Sequence, residues 1–511
     1  MHPLLPIWLC ISLCLLYVIS TELRRHRKLA LAGPPTYPVI GCLFSFYKNT
    51  HRLLDWYTHL LSRSPTQTIV IRRLGARRTV VTANPDNVEH MLKTNFGNYP
   101  KGKAFTEILG DFLGCGIFNV DGERWRIQRK LASHEFSAKS IRDYAVNVLE
   151  EQVKGKLVPI LDSLAGEDDK VVDLQQLLRK LAFDIVCKVS LGIDTCALDS
   201  PLSDSSLARA FNVASEISAR RASEPLFVIW KIKRFFGIGS ERRLREAIDE
   251  IHGFVMKVIK EKEEVMEEDG VDLLSKMILA GYDEMILRDM MISFIVAGRD
   301  TTSAAMTWLF YLLSCHPDAE KEAVKELGFF EEERLSHYET LQEMKFLKAC
   351  LCESMRLYPP VAWDSKHALA DDFLPDGTPV HAGDRVTYFP YGMGRMEKLW
   401  GKDWFEFKPN RWFAGPAEEQ RGDSGAGELR KVCPYRFPVF QAGPRVCLGR
   451  EMAFIQMKFV VASLLKRFEI RPAGSDRPTF VPLLTAHMAG GFKVFVRRRQ
   501  ETVGISPQKL R

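Results

Sequence analysis

From Leu4 to Ser20 the chain is apolar without a single charge, and after that its character changes. A helix needs roughly 17–25 such residues to cross a bilayer. The basic cluster Arg24, Arg25, Arg27 and Lys28 follows the run, and flanks of that kind stay on the cytosolic side. A cleaved leader carries its positive charge ahead of the apolar stretch, where only His2 stands. The pattern therefore predicts an N-terminal transmembrane helix with its basic flank over residues 1–32. The stretch GPPTYP from Gly33 to Pro38 lies in a stiff proline-rich hinge over 33–40, and the body occupies 41–511.

Within the body the periodicity is first that of strands, in TIVIRRL (Thr68 to Leu74) and RTVVTA (Arg78 to Ala83), and then helical for some three hundred residues. Helices are expected over Val146–Leu164, Leu174–Leu191, Glu241–Glu267 and Leu341–Leu357, with the most apolar one over Ile286–Leu313. A further helix follows in REMAFIQMKFVVASLL, and a late strand in FKVFVRR (Phe492 to Arg498). The loop from Ala414 to Lys431 is polar and glycine-bearing, which places it on the surface. The fold class is mainly α with small β-sheets.

Composition changes this picture little. At 46% hydrophobic over 511 residues the chain can bury a large core, and the absence of repeats or flexible linkers after residue 40 favours one domain. The 11 cysteines are odd in number and scattered, without CxxC or Cys/His spacing, so neither a disulfide framework nor a zinc site is expected. The net charge of +7 is dispersed. That excludes a nucleic-acid stripe and suits an acidic protein partner or an anionic membrane surface.

Chemistry enters at FQAGPRVCLGR, Phe440 to Arg450. A lone cysteine is most often core filler, but Cys447 has unusual neighbours. Gly443 and Gly449 allow positive φ and close backbone approach, and Arg445 suits a carboxylate. A helix starting just after Cys447 turns its positive end toward the sulfur. A nucleophilic thiol needs a nearby base, and the local sequence offers none.

The pattern Phe440-x-x-Gly443-x-Arg445-x-Cys447-x-Gly449 resembles the haem-binding loop of the cytochrome P-450 monooxygenases. The resemblance implies the cytochrome P-450 fold, haem b (iron protoporphyrin IX) with Cys447 as its axial thiolate, Phe440 packed near the sulfur, and Arg445 on a propionate. It also implies O2 as co-substrate and NADPH electrons delivered by the membrane-bound NADPH–cytochrome P-450 reductase. Three other segments agree in the order expected. AGRDTTS, Ala297 to Ser303, places a glycine, an acid and two β-branched residues inside the most apolar helix, three poor choices for filler. By resemblance Ala297 and Gly298 make room for dioxygen, Thr301 hydrogen-bonds it, and Asp300 feeds a proton relay. Glu353 and Arg356 stand at i,i+3 and read alone as a solvated ion pair; by resemblance they form a structural cluster with Arg411 of FKPNRW. Trp125 and Arg129 share one helix face, and by resemblance both meet haem propionates.

The segments from Tyr358 to Thr378, Met393 to Trp412 and Phe437 to Phe454 are similar to the plant fatty-acid omega-hydroxylase clan, and PLLTAHMAGGFKV is most like the branch with jasmonoyl-isoleucine 12-hydroxylases. Arg450 and Gly392 depart from the clan's usual lysine and alanine. The implied reaction is hydroxylation of the terminal carbon of a carboxylate-bearing acyl chain, either jasmonoyl-isoleucine or a fatty acid, at the endoplasmic reticulum membrane with the catalytic domain in the cytosol. The alternative in the same fold is an isomerase or lyase acting on fatty hydroperoxides. Family positions put Phe105, Phe112, Leu113, Ile117, Phe118, Phe294, Ile295, Val361, Ala362, Trp363, Leu484, Thr485 and Met488 along an apolar substrate channel. Lys101 and Lys103 are the loop cations expected for the carboxylate.

Overall fold

The computed structural model describes residues 33–500, apart from 38, 138, 168–169, 200–204, 224–227, 266–269 and 416–426. The expected anchor over 1–32 and most of the polar loop after Ala414 lie outside the described residues, among which no helix is long and apolar enough to cross a membrane.

The helices that build the site are α1 (Lys103–Leu113), α2 (Gly122–Ser137), α3 (Leu174–Leu191), α4 (Ser206–Ser223), α5 (Val228–Phe236), α6 (Ser240–Val265), α7 (Glu284–Cys315), α8 (Lys345–Leu357) and α9 (Arg450–Arg467). Their bounds follow local chemistry. The Asp173 carboxylate accepts from the Gln176 amide and starts α3, and Gly192 at φ 72° ends it. Asp283 caps α7 by accepting from the Met285 and Ile286 amides.

α7 is buried along nearly its whole length because it serves two cores. Its first half, Leu287 to Val296, packs with residues of α1, α3, α4 and α6. Its second half, Ala305 to Leu313, packs with α8 and α9. The segment Ala297 to Ser303 falls between the two.

Two expected helices are interrupted, each for a visible reason. The one expected over Leu341–Leu357 breaks at Met344, whose ψ of 76° is not helical. The Glu326 carboxylate then caps the new start, accepting from the Phe346 and Leu347 amides at 2.7 and 2.9 Å. In the stretch Val146–Leu164 a π-turn over Val153–Leu157 precedes the helix Val158–Ala165. The Val158 amide closes that turn on the Val153 carbonyl, and Pro159, which has no N–H to donate, falls in the first turn of the helix that follows.

Seven strands matter here: β1 (Thr68–Ile71), β2 (Thr79–Thr82), β3 (Val171–Asp173), β4 (Asp364–His367), β5 (Arg385–Tyr388), β6 (Phe468–Pro472) and β7 (Lys493–Arg498). One sheet has the order β1-β2-β5-β4 and another β3-β7-β6. In the first, Ile71, Thr79, Arg385 and His367 form one row across the strands, and Val81, Thr387 and Ser365 lie in the next row of the same face. The end of the hinge region joins this sheet, since Tyr37 bridges to Gly41 and Gly41 to Arg73.

Candidate functional site

A cavity of about 1110 Å³ lies between the sheet face, α1, α2, α7 and the loop before α9. Phe440, Arg445, Cys447 and Gly449 line it from the loop, Trp125 and Arg129 from α2, and Ala297, Gly298, Thr301 and Thr302 from α7. Segments more than three hundred residues apart in sequence thus meet at one space.

The loop holds Cys447 firmly, for its amide donates to the Phe440 carbonyl at 2.8 Å. The sulfur is open to the cavity while lying deep among protein atoms. Burial pushes its thiol up, opposed by the Gly449 amide and by the charges of Arg129 and Arg450. Of the two glycines expected to allow positive φ and close approach, Gly443 does both, though against the protein's own backbone, and Gly449 does not use positive φ. Gly443 does not line the cavity; it has φ +65°, and a Cβ there would stand 2.0 Å from the Leu92 carbonyl oxygen. Its role is the close pass of two backbones. Gly449 has φ −83° and needs no left-handed freedom. A Cβ there would meet no protein atom within 4 Å, on a surface facing the cavity.

In α7 the Thr301 hydroxyl donates to the Ala297 carbonyl at 2.7 Å and the Thr302 hydroxyl to Gly298 at 2.7 Å. This back-bonding satisfies both hydroxyl protons within the helix. Asp300 is turned away from the lining: Arg179 of α3 donates to its carboxylate at 3.0 Å, and the Arg299 guanidinium lies 3.6 Å off. Burial alone would push this carboxyl up, but Arg299 and Arg179 outweigh it and hold it below the ordinary carboxylate value. The relay expected of Asp300 therefore has no direct contact with the cavity, because its countercharges sit on the other side of the helix.

The pair expected to be solvated when read alone is fully buried. Glu353 accepts from Arg356 at 2.8 Å through both oxygens, from Arg411 at 2.7 Å and from the Trp412 indole at 2.9 Å. Arg356 spends its remaining protons on the carbonyls of Gly394, Trp404 and Glu406. The cluster pins the chain ahead of the cysteine loop and does not line the cavity.

Of the expected channel residues, Phe105, Leu113, Ile117, Phe118, Phe294, Val361, Ala362, Trp363, Leu484 and Thr485 line the space. Phe112 does not; it is wholly buried, its ring 6.0 Å from that of Phe211 in an edge contact. Ile295 and Met488 likewise belong to the cores. A helix shows two faces, and spacing alone did not say which of them Phe112 and Ile295 occupy. Lys103 is exposed beside Glu107, while Lys101 is buried with its ammonium 2.9 Å from Asp364.

Sequence reasoning missed the hub at Asp364. Besides Lys101 it accepts from Lys366 at 2.7 Å and from the Gln441 amide at 2.8 Å, and the Tyr388 hydroxyl, 3.0 Å away, shares its one proton between Asp364 and the Gln441 carbonyl oxygen. Gln441 belongs to the cysteine loop and sits at φ 62°, so the hub holds that loop in a strained turn. The signal available was an aspartate two residues before a lysine, which puts Asp364 and Lys366 on one face of the strand.

Haem is the group the resemblance implies, and the cavity's donors suit it. Arg129 has no hydrogen-bond or ion-pair partner among the described residues, and the buried Nε of Arg445 has none. Arg445 Nη2 donates to Asp121 at 2.7 Å and to the Val120 carbonyl at 3.1 Å, and its guanidinium lies 4.5 Å from the Trp125 ring centroid. Unspent cationic donors beside an apolar slot with one open sulfur match a flat apolar group that carries two carboxylates and a metal.

Comparison with known proteins agrees. The family model for Cytochrome P450 matches residues 31–490. Cytochrome P450 94B1 of Arabidopsis thaliana is 55% identical over 496 residues, 96% of each chain. Cytochrome P450 94B3 of the same plant is 56% identical over 488 residues, 94% of this chain and 95% of its own. Cytochrome P450 94A1 of Vicia sativa is 44% identical over 473 residues, 91% and 90% of the two chains.

Proposed function

The chain belongs to the cytochrome P450 family, within its plant 94 group, as a haem-dependent monooxygenase, and we propose that it hydroxylates the terminal carbon of an acyl chain bearing a carboxylate at the other end. The substrate class is a fatty acid or a jasmonoyl–amino acid conjugate. Electrons come from NADPH through a reductase. Bound haem supplies the activation of dioxygen that places one oxygen atom in a C–H bond.

Around it each residue has work to do. Cys447 is the sulfur that ligates the iron, and the Gly449 amide tempers the charge on that sulfur. Trp125, Arg129 and Arg445 hold the propionates. Thr301, at the cavity surface of α7, presents Oγ1 there as a hydrogen-bond acceptor, its own proton being held by the Ala297 carbonyl. Asp300 acts behind it as a positioning charge, fixing α7 against α3 through Arg179. The apolar wall of Phe105, Leu113, Ile117, Phe118 and Phe294 excludes water and clamps the chain end. A terminal methyl is no more reactive than the methylenes beside it, so selectivity for it comes from placement.

The observation that carries the reading is that one cavity of about 1110 Å³ is lined both by this apolar wall and by Cys447. Membrane attachment at the endoplasmic reticulum, through residues 1–32, is part of the same proposal. It is supported by the exposed face of α5, where Phe235 and Phe236 stand 83% and 66% exposed among Lys231, Lys233 and Arg234, an amphipathic arrangement fit for a lipid surface.

The test is product analysis with lauric acid and jasmonoyl-isoleucine offered to the reductase-coupled protein. Terminal alcohol from either supports the proposal, and oxidation confined to interior carbons of both sinks it. C447S should abolish turnover together with the thiolate-type absorbance of the carbon-monoxide complex.

A further inference from the structure

If the reading above is right, a carboxylate enters the cavity and needs a cation. The two lysines expected for it are unsuitable. Lys103 is out in solvent, and the buried Lys101 ammonium is already engaged by Asp364 at 2.9 Å. Arg129 and Arg445 face the haem end. Another group of cations stands on the sheet wall. Arg385 heads β5 in the row Ile71–Thr79–Arg385–His367, all four of which line the cavity. Arg73 and Arg77 lie two residues beyond Ile71 and two before Thr79, and both line it as well. With a strand period of two, all three guanidiniums gather at one end of one face.

Among the described residues no carboxylate answers them. Arg78, on the opposite parity, is paired with Asp384, but the Arg385 side chain has no hydrogen-bond or ion-pair partner among the described residues. Arg73 rests on the Phe46 ring at 3.9 Å with its Nη1 buried and unpartnered. Arg77 spends one proton on the Gly383 carbonyl at 3.2 Å. Asp55, the nearby acid in the lining, is engaged by the Tyr391 hydroxyl at 2.8 Å. Burial and the charges of Arg73 and Arg77 lower the Arg385 guanidinium, as expected where like charges meet without an anion. Such a group is costly to hold unless a ligand supplies the missing charge.

We infer that Arg385, assisted by Arg73, binds the substrate's carboxylate at the sheet end of the cavity and so determines which carbon reaches the haem end. Arginine's planar fork matches a carboxylate with two parallel bonds. The acyl chain then runs along the apolar wall toward Cys447, and the free acid is preferred over an ester or a plain alkane.

The experiment compares lauric acid with methyl laurate in the haem-loaded full chain. Binding is read from the substrate-induced absorbance change and regiochemistry from the products. In R385Q, and in R73Q measured in parallel because its side chain lies outside the strand ladder, lauric acid should bind about tenfold more weakly or worse. Methyl laurate should bind within about twofold of the parent (the probe with no charge to lose), and hydroxylation of the acid should spread to interior carbons. R385K should recover part of the acid affinity. Unchanged acid binding in both variants, or equal losses for acid and ester in protein with normal haem absorbance, overturns the inference. Wild-type protein that oxidises lauric acid only at interior carbons defeats the terminal-carbon reading instead, and the acid-against-ester binding comparison remains decisive.

Discussion

Val186 of α3 occupies the place that a side chain at Gly298 of α7 would need: a Cβ built there stands 2.6 Å from Val186 Cγ2. The glycine in AGRDTTS, which the family resemblance assigns to oxygen access, is thus required by helix packing. G298A forces Val186 or the helix to move, with a stability loss of about 1–3 kcal/mol. V186A in the same chain should recover part of it. Denaturant midpoints of the two variants decide this; a G298A protein as stable as the parent refutes the packing explanation.

The Glu353 carboxylate is shared by Arg356, Arg411, the Trp412 indole and the Lys408 amide, all at 2.7–3.0 Å. E353Q leaves two buried guanidiniums facing a neutral amide, and loss of one partner in such a cluster costs about 3–5 kcal/mol. The expected result is poor haem retention on purification and a large drop in midpoint. R411Q should be milder in outcome than R356Q, since Arg356 also satisfies three carbonyls inside the protein.

These cases show where the sequence was legible. Periodicity located β1 and β2, gave α3 its bounds at Leu174 and Leu191, and set Cys447 immediately ahead of α9, because each signal is carried by neighbours along the chain. The break at Met344 was not legible: the group that caps the second helix is Glu326, some twenty residues upstream. Nor was the burial of Asp364 and Lys366, which in a strand look like an ordinary solvated pair until β5 and the cysteine loop close over them. Arg385 resembles any polar strand residue, and only the strand register reveals that it shares a face with Arg73 and Arg77. Identity of partner is a tertiary property, and the charged residues of this site depend on it more than the apolar ones do.

His367 offers a pH test. Its Nδ1 lies 2.6 Å from the Lys101 carbonyl, and burial lowers its imidazole to about 4. The unfolded chain titrates near 6.5, so between these values it binds a proton that the folded protein refuses. The contribution is complete above about pH 6.5 and is lost as pH falls toward 4, a change on the order of 2–3 kcal/mol. H367Q, whose amide can still donate to the carbonyl, should show a flatter decline between pH 7 and 5 than the parent. Parallel curves for the two proteins would exclude His367 as the source.

The hub at Asp364 leads to a discriminating prediction about the loop that carries Cys447. Gln441 is held at φ 62°, a conformation that costs a non-glycine residue about 1 kcal/mol or more, and the bonds from its amide to Asp364 and from Tyr388 to its carbonyl oxygen keep it there. Q441A retains the strain and loses both bonds, whereas Q441G loses the bonds but also the strain. Q441G should therefore be the more stable of the two, by up to about 1 kcal/mol, and should hold haem better. D364N acts from the other side. Burial has already lowered Lys366 to about 7 with only Asp364 to support its charge, so removing that anion should strip the lysine of its proton and free the loop. Adding K366M to D364N then removes the orphaned amine, and the double variant should unfold at higher denaturant than D364N alone. A double variant no better than D364N would mean that Asp364 secures the loop through Gln441 and Lys101 alone.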